Sequence, residues 1–431
     1  MRRLIVCAAC LDLALGAWAQ NDVSSEERKL ATMQYDFDTG NPGVVFTRDG
    51  RQVCYAILEV HRTNGVTTRY RKFVLGDRTS YYELGASGPV FSPDGEKVAY
   101  AGRDPRGNGE EFLVVGMGDD EASKPYELVM NVVFSPDGGR IAFRGVRGEQ
   151  NFLVVGEAEK GPFEGVGPAE FSPDGKRLAY SVTDKDGTQR YVIDDVKQKA
   201  FAEVTGLVFS KDSSSFAYWA GRAGECLIVH GDREGPKYTT VSRPVLSADG
   251  KTLAYRATSD GKSRVIVGDK KGLDFDEVWT PALSADGKHV AYVAKSGAKW
   301  CVVVDGVPGR EFDEPPSTPE PVFSPDGKRV AYGAVLGQGR QSGQGIEAVF
   351  VDGNRVPAMF SHVSQIAFTP SGQHVVYVAE RDGKEHLVID RERGDPFDSV
   401  YRYVISPDGK RVAFGARVGK ELWWKIRKIA D

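Results

Sequence analysis

The sequence has little of what most metal-binding, nucleic-acid-binding or catalytic proteins depend on. Six histidines occur among 431 residues, and no two of them have the spacing of a metal-binding pair such as His-x-x-x-His. The formal net charge of −4 indicates neither a nucleic-acid surface nor a polybasic membrane anchor. The Gly-x-Ser-x-Gly elbow of hydrolases is absent. We therefore expect no metal, no cofactor and no catalytic residue, and no nucleic acid as a partner.

Long hydrophobic runs are also missing beyond the N-terminus, so we expect no membrane span. Residues 1–19 combine two early arginines, an apolar stretch and a small-x-small site ending at Ala19. This pattern is typical of a secretory signal peptide cleaved after Ala19, although Asp12 interrupts the apolar stretch. A mispredicted start or a poor anchor is the alternative. The sequence thus predicts a periplasmic or secreted protein, with a polar linker at residues 20–30.

Cysteine is scarce in the remainder of the chain. Removal of the signal peptide leaves Cys54, Cys226 and Cys301, an odd number that excludes complete disulfide pairing within one chain. Cys226 and Cys301 occupy the same place in two repeats that are not neighbours. We interpret all three as small buried hydrophobic residues.

What the chain does have is a self-similar unit that repeats ten times. The phrase Phe-Ser-Pro-Asp-Gly recurs with variants, and its glycine positions are 37 to 45 residues apart, which is the length of a propeller blade. Ser or Thr always stands three residues before this position, and an aromatic residue five residues after it. The Asp-Gly pair predicts a tight turn, because glycine readily adopts a positive φ. The turn position is occupied by Gly50, Gly95, Gly138, Gly175, Ser213, Gly250, Gly287, Gly327, Gly372 and Gly409.

Each unit predicts four short antiparallel strands. The turn joins the first strand to the second, an apolar run such as residues 300–304 forms the third, and an aromatic residue marks the fourth. The last unit lacks a fourth strand, and a strand-like segment around Phe37 precedes the first unit. We therefore predict an all-β fold over residues 31–431: a β-propeller of about ten four-stranded blades, closed by the N-terminal strand, which completes the C-terminal blade. Two smaller propellers are the alternative.

The sequence Phe-Ser-Pro-Asp-Gly-Lys-Arg-Val-Ala-Tyr, from Phe323 to Tyr332, resembles the WD40-like (TolB-type, PD40) repeats of bacterial β-propellers. The resemblance covers about residues 31–431 and implies the propeller fold. The units lack the Gly-His and Trp-Asp pairs of true WD repeats, so the hydrogen-bond network of those repeats is not implied. A role in the cell envelope is what the analogy to TolB implies.

Several polar features have structural interpretations. His289 and His374 follow turn glycines, where other units carry Lys or Arg, and we interpret these residues as a solvated rim in which basic and acidic charges balance. Asp184 begins an Asp-Lys-Asp-Gly sequence. It lacks the full ligand spacing of a calcium loop, so a hairpin turn is the better interpretation.

Function is expected on the loops that join the fourth strand to the next first strand, and the second strand to the third, because these loops vary most between units. The longest are residues 335–347 and 59–71. Trp219 and Arg256, just past second strands, are the candidate binding residues. We predict a non-catalytic scaffold that binds a protein or an envelope ligand. The alternative is a propeller enzyme, a hydrolase or lyase acting on glycans, which needs acids or histidines converging from several blades.

Overall fold

The computed structural model describes residues 27–32, 45–46, 53–63, 66–75, 78–80, 83–85, 87–104, 108–116, 122–222, 224–318, 320–337 and 346–429. Every helix or strand in these ranges is a β-strand, so the all-β class is confirmed. Within the same ranges no helix is long and apolar enough to cross a membrane. The chain divides into two compact units, residues 1–201 with 419–425 and residues 202–418 with 426–431.

The first unit contains four antiparallel sheets among its described residues, and their strands follow chain order outward from the first strand. In sheets 2 and 4 the first strand is split into two short pieces that both pair with the second strand. Sheet 1 comprises β2 (Val45–Phe46), β3 (Val53–Thr63), β4 (Val66–Leu75) and β5 (Arg78–Thr79). Sheet 2 comprises β6 (Glu83–Leu84), β7 (Val90–Phe91), β8 (Val98–Arg103) and β9 (Glu111–Val115). Sheet 3 comprises β10 (Leu128–Phe134), β11 (Ile141–Arg147), β12 (Gln150–Val155) and β13 (Ala158–Phe163). Sheet 4 comprises β14 (Gly165–Val166), β15 (Glu170–Phe171), β16 (Leu178–Thr183), β17 (Gln189–Ile193) and β18 (Val196–Lys197).

Also in the first unit, β1 (Glu27–Thr32) pairs with residues 421–425 of β43 (Glu421–Lys428). The strands run antiparallel, with Glu27 opposite Lys425 and Thr32 opposite Glu421. From the sequence we predicted that the segment around Phe37 pairs with the last strand. That segment lies outside the described residues. The strand that pairs with β43 instead begins inside the predicted linker. Propeller closure and blade number stay predictions.

The second unit contains five complete sheets and one hairpin among its described residues. Sheet 5 comprises β19 (Glu203–Phe209), β20 (Phe216–Arg222), β21 (Glu225–His230) and β22 (Arg233–Glu234). Sheet 6 comprises β23 (Thr240–Val241), β24 (Val245–Leu246), β25 (Leu253–Ser259), β26 (Lys262–Val267) and β27 (Lys270–Lys271). Sheet 7 comprises β28 (Glu277–Val278), β29 (Ala282–Leu283), β30 (Val290–Ser296), β31 (Lys299–Val304) and β32 (Val307–Phe312). Sheet 8 comprises β33 (Val322–Phe323), β34 (Val330–Leu336), β35 (Ile346–Val351) and β36 (Asn354–Arg355). Sheet 9 comprises β37 (His362–Phe368), β38 (Val375–Arg381), β39 (Lys384–Ile389) and β40 (Glu392–Arg393), and the hairpin comprises β41 (Ser399–Ile405) and β42 (Arg411–Val418).

The repeated turn is a closed hydrogen-bond network around a buried hydroxyl. In sheet 7, the Ser284 Oγ donates to Asp286 Oδ1 at 2.7 Å and accepts from the backbone N–H of His289 at 3.0 Å. The hydrogen bond from Ser284 is the main cause that lowers the pKa of Asp286 to about 2. The predicted turn and its capping hydroxyl are therefore confirmed here.

Successive turns also pack against each other within the second unit. A Cβ atom added at Gly287 would lie 2.7 Å from the Ser247 Cβ of the preceding repeat. The backbone N–H of Ala248 donates to the carbonyl oxygen of Ala285 at 2.9 Å, which joins the turns of sheets 6 and 7. Glycine is required at position 287 both by this close approach and by its φ of 69°.

The core is built on a repeated aromatic pair. The aromatic residue five positions after a turn glycine meets the aromatic residue of the fourth-strand region edge to face. Ring centroids are 5.6 Å apart for Tyr126 and Phe143, and 5.7 Å apart for Phe397 and Phe414. All four side chains are at most 4% exposed. This explains why the sequence repeats aromatic residues at these two positions.

Three carboxylates, two of them buried and the third, Glu385, partly buried, join one sheet to the strand that follows it. Glu347 of β35 accepts the backbone N–H of Val363 in β37 at 2.7 Å, and Glu111 and Glu385 make the equivalent bonds to Val129 and Val400. Glu347 is only 3% exposed. These bonds were not predicted, because the third strand was interpreted from the sequence as an apolar run.

Two further sequence interpretations can be compared with the structure. Cys54, Cys226 and Cys301 are buried and free, as predicted. Residues 59–71 were predicted to form a loop, which is wrong: β3 and β4 extend through most of this range and pair from Cys54 opposite Leu75 to Thr63 opposite Val66. The many polar residues of this segment indicated a loop. Strands pair through backbone hydrogen bonds, which need no apolar side chains.

Candidate functional site

In sheets 5, 6, 7 and 9 of the second unit, the first strand is interrupted midway, whereas in sheet 8 the equivalent residue, Glu320, precedes β33. The residue at this position is polar in several sheets. The interruption is a register shift in β19 and β37, and in sheets 6 and 7 it splits the strand into two pieces. The first strands of sheets 5 to 9 contact one another in order. Residues at the interruption therefore follow one another along one edge of the stacked sheets.

We call the polar members of this series the polar row. Each stands seven residues before a turn glycine. Four of its members are exposed and the fifth, Thr280, is partly exposed. The equivalent described residues of the first unit are Gly88, Asn131 and Pro168, so charge at this position is confined to the second unit. The polar row consists of Arg243, Thr280, Glu320, Gln365 and Arg402.

Contacts between neighbouring repeats hold the start of the row in place. The Arg243 Nη2 donates to the carbonyl oxygen of Leu207 at 3.0 Å. The Arg243 side chain also covers Gly206 of the preceding repeat, where its Cγ lies 3.3 Å from an added Cβ. At this point Gly206 has a φ of 65°. Glycine therefore provides both the backbone conformation and the space for the arginine.

Two members of the polar row line a cavity of about 220 Å³, together with Arg256 and Trp279. Arg256 is held by its backbone N–H, which donates to Ser242 Oγ at 3.0 Å, and by a long contact of Nη1 with the Val278 carbonyl oxygen at 3.3 Å. Its Nε is buried and has no hydrogen-bond partner among the described residues. A buried guanidinium donor without a partner is unfavourable, because its hydrogen bond to water is lost and not replaced.

The other walls of the cavity are an indole and a carboxyl group. The Trp279 ring packs on Trp300 with centroids 5.3 Å apart, and its Nε1 donates to Glu277 Oε1 at 2.9 Å. Glu320 retains solvent contact but is surrounded closely enough by protein that desolvation raises its pKa, against an opposing effect of Arg243. Titratable groups shifted in this way are concentrated at functional sites.

The two residues predicted to lie just past second strands lie within them, Trp219 in β20 and Arg256 in β25. Their surroundings differ, although each lies six residues after a turn position. Arg256 lines the cavity. Trp219 instead packs at the edge of an apolar cluster that includes Tyr238 and Tyr255, and a Cβ added at Gly221 would lie 2.5 Å from its ring. The structure does not bring the two together in this cavity, and a binding role for either residue stays a prediction.

Thr280 and Glu320 were not predicted from the sequence. The prediction relied on positions at which all units agree, whereas the residue type at the interrupted position varies between units. The available signal was the position itself: seven residues before the turn glycine, the second half of the chain carries two arginines, a glutamate, a glutamine and a threonine.

The remaining polar candidates form local pairs. The Nδ1 of His289 lies 2.7 Å from Asp305 Oδ2, and that of His374 lies 2.7 Å from Asp390 Oδ2. Asp184 belongs to the turn between β16 and β17, where its backbone N–H bonds to the Thr188 carbonyl oxygen at 2.8 Å. In the described part of the chain, no three His, Cys, Asp or Glu side chains are grouped so that they could hold a metal ion.

These repeated four-stranded antiparallel sheets, stacked with their first strands in sequence, are of the β-propeller type. No protein-family model and no curated protein matches the chain. Among solved structures, the chain is similar to a eukaryotic initiation factor at 15% identity, covering 77% of this chain and 96% of that chain with a TM-score of 0.47. It is also similar to the Dos1 propeller (9%, 93% and 94%, TM-score 0.37) and to TolB from Acinetobacter baumannii (16%, 70% and 78%, TM-score 0.29).

Proposed function

We propose that this chain is a non-catalytic β-propeller scaffold of the TolB-like type that binds a segment of a partner protein in the periplasm or the secreted space. The observation that carries the proposal is the cavity in which Arg256 meets Thr280 and Glu320 of the polar row. The signal-like N-terminus supports the compartment. The ten repeats support a single closed propeller, and two smaller propellers remain the alternative that an experimental structure of the full chain would reveal.

The chemistry of the row suits an extended polypeptide. Its side chains provide guanidinium donors, a carboxylate acceptor and neutral amide and hydroxyl groups along consecutive first strands. The adjoining Trp279 and Arg256 are of the residue types that contribute most of the binding energy at protein interfaces. A catalytic alternative would need converging acids or histidines, and the polar row contains one carboxylate, Glu320.

The test measures binding of the full chain to an array of short peptides and compares two arginine variants. Arg256→Ala removes the guanidinium that lacks a partner for its Nε. Arg144→Ala is the matched control, because Arg144 also lies six residues after its turn glycine but donates from Nε and Nη2 to Asn151 Oδ1 at 3.0 and 2.7 Å.

We expect R256A to weaken binding of the selected peptides about tenfold or more, because a hydrogen bond to a charged group is lost. R144A should bind them like the unsubstituted chain. Equal affinities of R256A and R144A, or the absence of any peptide bound by the unsubstituted chain, would overturn the proposal.

A further inference from the structure

A second and larger cavity lies between sheets 7 and 8 of the second unit and shares no lining residue with the Arg256 cavity. Its volume of about 530 Å³ is within the range of small-molecule sites. Sheet 7 contributes aliphatic residues, among them Val302 and Val304, and sheet 8 contributes Phe323 and Tyr332. The interior therefore suits an apolar body.

One contact between neighbouring sheets differs at this cavity. Between sheets 5 and 6, the Tyr255 hydroxyl lies 3.7 Å from a Cβ added at Gly235, and between sheets 6 and 7 the Tyr292 hydroxyl lies 3.6 Å from one added at Gly272. At the equivalent Gly309, the Val302 carbonyl oxygen is the sole neighbour within 4 Å in the described structure. The hydroxyl of Tyr332 therefore lies farther from its glycine, although the Tyr332 ring still packs on Phe312 with centroids 6.4 Å apart.

The unit that contains Gly309 is also longer in sequence. The interval between turn glycines is 37 residues from Gly250 to Gly287, but 40 residues from Gly287 to Gly327. The three additional residues follow Phe312, because Phe275 stands 12 residues before its next turn glycine and Phe312 stands 15. The additional chain therefore lies in the connection from β32 to β33.

The polar groups of this cavity are not equivalent. Three of its basic side chains face acids: His289 Nδ1 lies 2.7 Å from Asp305, Arg329 Nε 3.0 Å from Asp352, and Lys328 Nζ 3.8 Å from Asp326. Arg310 is exposed and makes no ion pair within the described ranges. Arg310 is therefore the basic residue of the cavity lining that can pair with an anionic ligand.

Tyr332 provides a hydroxyl to the lining of the cavity. The residue is 3% exposed, and burial raises the pKa of this hydroxyl to about 12, against the opposing charge of Arg310. No hydrogen bond is among the causes of this shift. A neutral buried phenol near a guanidinium can donate to the anion that the guanidinium binds.

We propose that the cavity between sheets 7 and 8 binds a small carboxylate with an apolar body, with the carboxylate on Arg310 and Tyr332. A planar guanidinium pairs with a carboxylate through two parallel hydrogen bonds, and the hydroxyl adds a further donor. The apolar body lies against Val302, Val304 and Phe323. This ligand site is separate from the partner site proposed above.

The experiment titrates 2-naphthoate into the full chain by isothermal titration calorimetry, with 2-naphthamide as the uncharged probe of the same shape. We expect saturable binding of naphthoate and weaker binding of the amide. Arg310→Gln should lower naphthoate affinity about tenfold or more and leave the amide unchanged. Tyr332→Phe should cause a smaller loss of naphthoate affinity, because it removes one neutral donor.

Lys299→Gln is the charge-matched control, because Lys299 lies on sheet 7 but is paired with Asp313 at 2.5 Å and does not line the cavity. It should bind naphthoate like the unsubstituted chain. The proposal is refuted if naphthoate does not bind, if R310Q and K299Q bind it equally, or if R256A abolishes its binding. The last result would place the probe in the Arg256 cavity.

Discussion

Replacement of Glu347 by alanine tests whether the buried carboxylates between sheets stabilise the fold. The carboxylate is 3% exposed, accepts the Val363 N–H at 2.7 Å and lies 3.3 Å from His362 Nδ1. Its loss removes a hydrogen bond to a charged acceptor, worth about 1.5–3 kcal/mol, and leaves a buried N–H unsatisfied. We expect E347A to lower the free energy of unfolding by about 2–4 kcal/mol.

The same group makes stability depend on pH. Burial alone would raise the pKa of Glu347, but hydrogen bonds from His362 and Val363 outweigh it, so its folded pKa lies below the usual value of 4.5. A carboxyl group with a lowered folded pKa stabilises fully above its unfolded pKa, and this contribution is lost as the pH falls through the folded pKa. The difference between the unsubstituted chain and Glu347→Gln should therefore shrink at acidic pH.

The assay is urea unfolding followed by tryptophan fluorescence, together with hydrogen exchange of the Val363 amide. Ser263→Ala is the matched control, because Ser263 occupies the same third-strand position, and its hydroxyl bonds to Thr258 Oγ1 at 3.0 Å within one sheet. S263A should cost about 1 kcal/mol or less. A stabilising role of Glu347 is refuted if E347A and S263A have equal free energies of unfolding and the Val363 amide exchanges at an unchanged rate. E347Q, which keeps an acceptor, provides the measurement if E347A does not fold.

Two further predictions concern the turns and the thiols. Gly287→Ala should destabilise by about 2–4 kcal/mol, because its Cβ would lie 2.6 Å from Thr252 Oγ1 at a φ of 69°. Gly297→Ala, with a φ of 59° and open space, should cost about 1 kcal/mol; equal losses of melting temperature would contradict the steric argument. The three cysteines should react with a thiol reagent after unfolding in urea and not before, because burial raises their pKa values, that of Cys54 to about 12. Rapid reaction of the native chain would contradict this.

The sequence was sufficient for features that depend on local chemistry repeated in a constant environment. Ser284 and Gly287 determine a turn whatever surrounds it, and Tyr126 repeats because every sheet needs the same aromatic contact. The strands, the turns and the buried cysteines followed from such positions. The pairing of β43 with residues 27–32 did not, because that short strand is polar and carries no repeated residue.

The candidate site was predicted in part, for a physical reason. Arg256 could be found because the repeat defines its position, six residues after the turn glycine, and a large charged side chain stands there. The cavity around it depends on the spacing between sheets, which no single position in a repeat encodes. The same holds for the contact at Gly309, where the Tyr332 hydroxyl is not among the neighbours within 4 Å in the described structure. Thr280 and Glu320 escape a search for self-similarity, because such a search rewards agreement between repeats.

The packing of one turn against the next has a consequence for how such a chain can change in length. Gly287 packs against Ser247 of the preceding unit, and Ser284 packs against Gly327 of the following unit. Each unit thus contains both the glycine and the serine that make this contact. A gene duplication that copies a complete unit adds a turn that already fits its neighbours on both sides, whereas a copy of any other length leaves one half without its complement. The array can therefore grow or shrink by whole units and keep every turn packed.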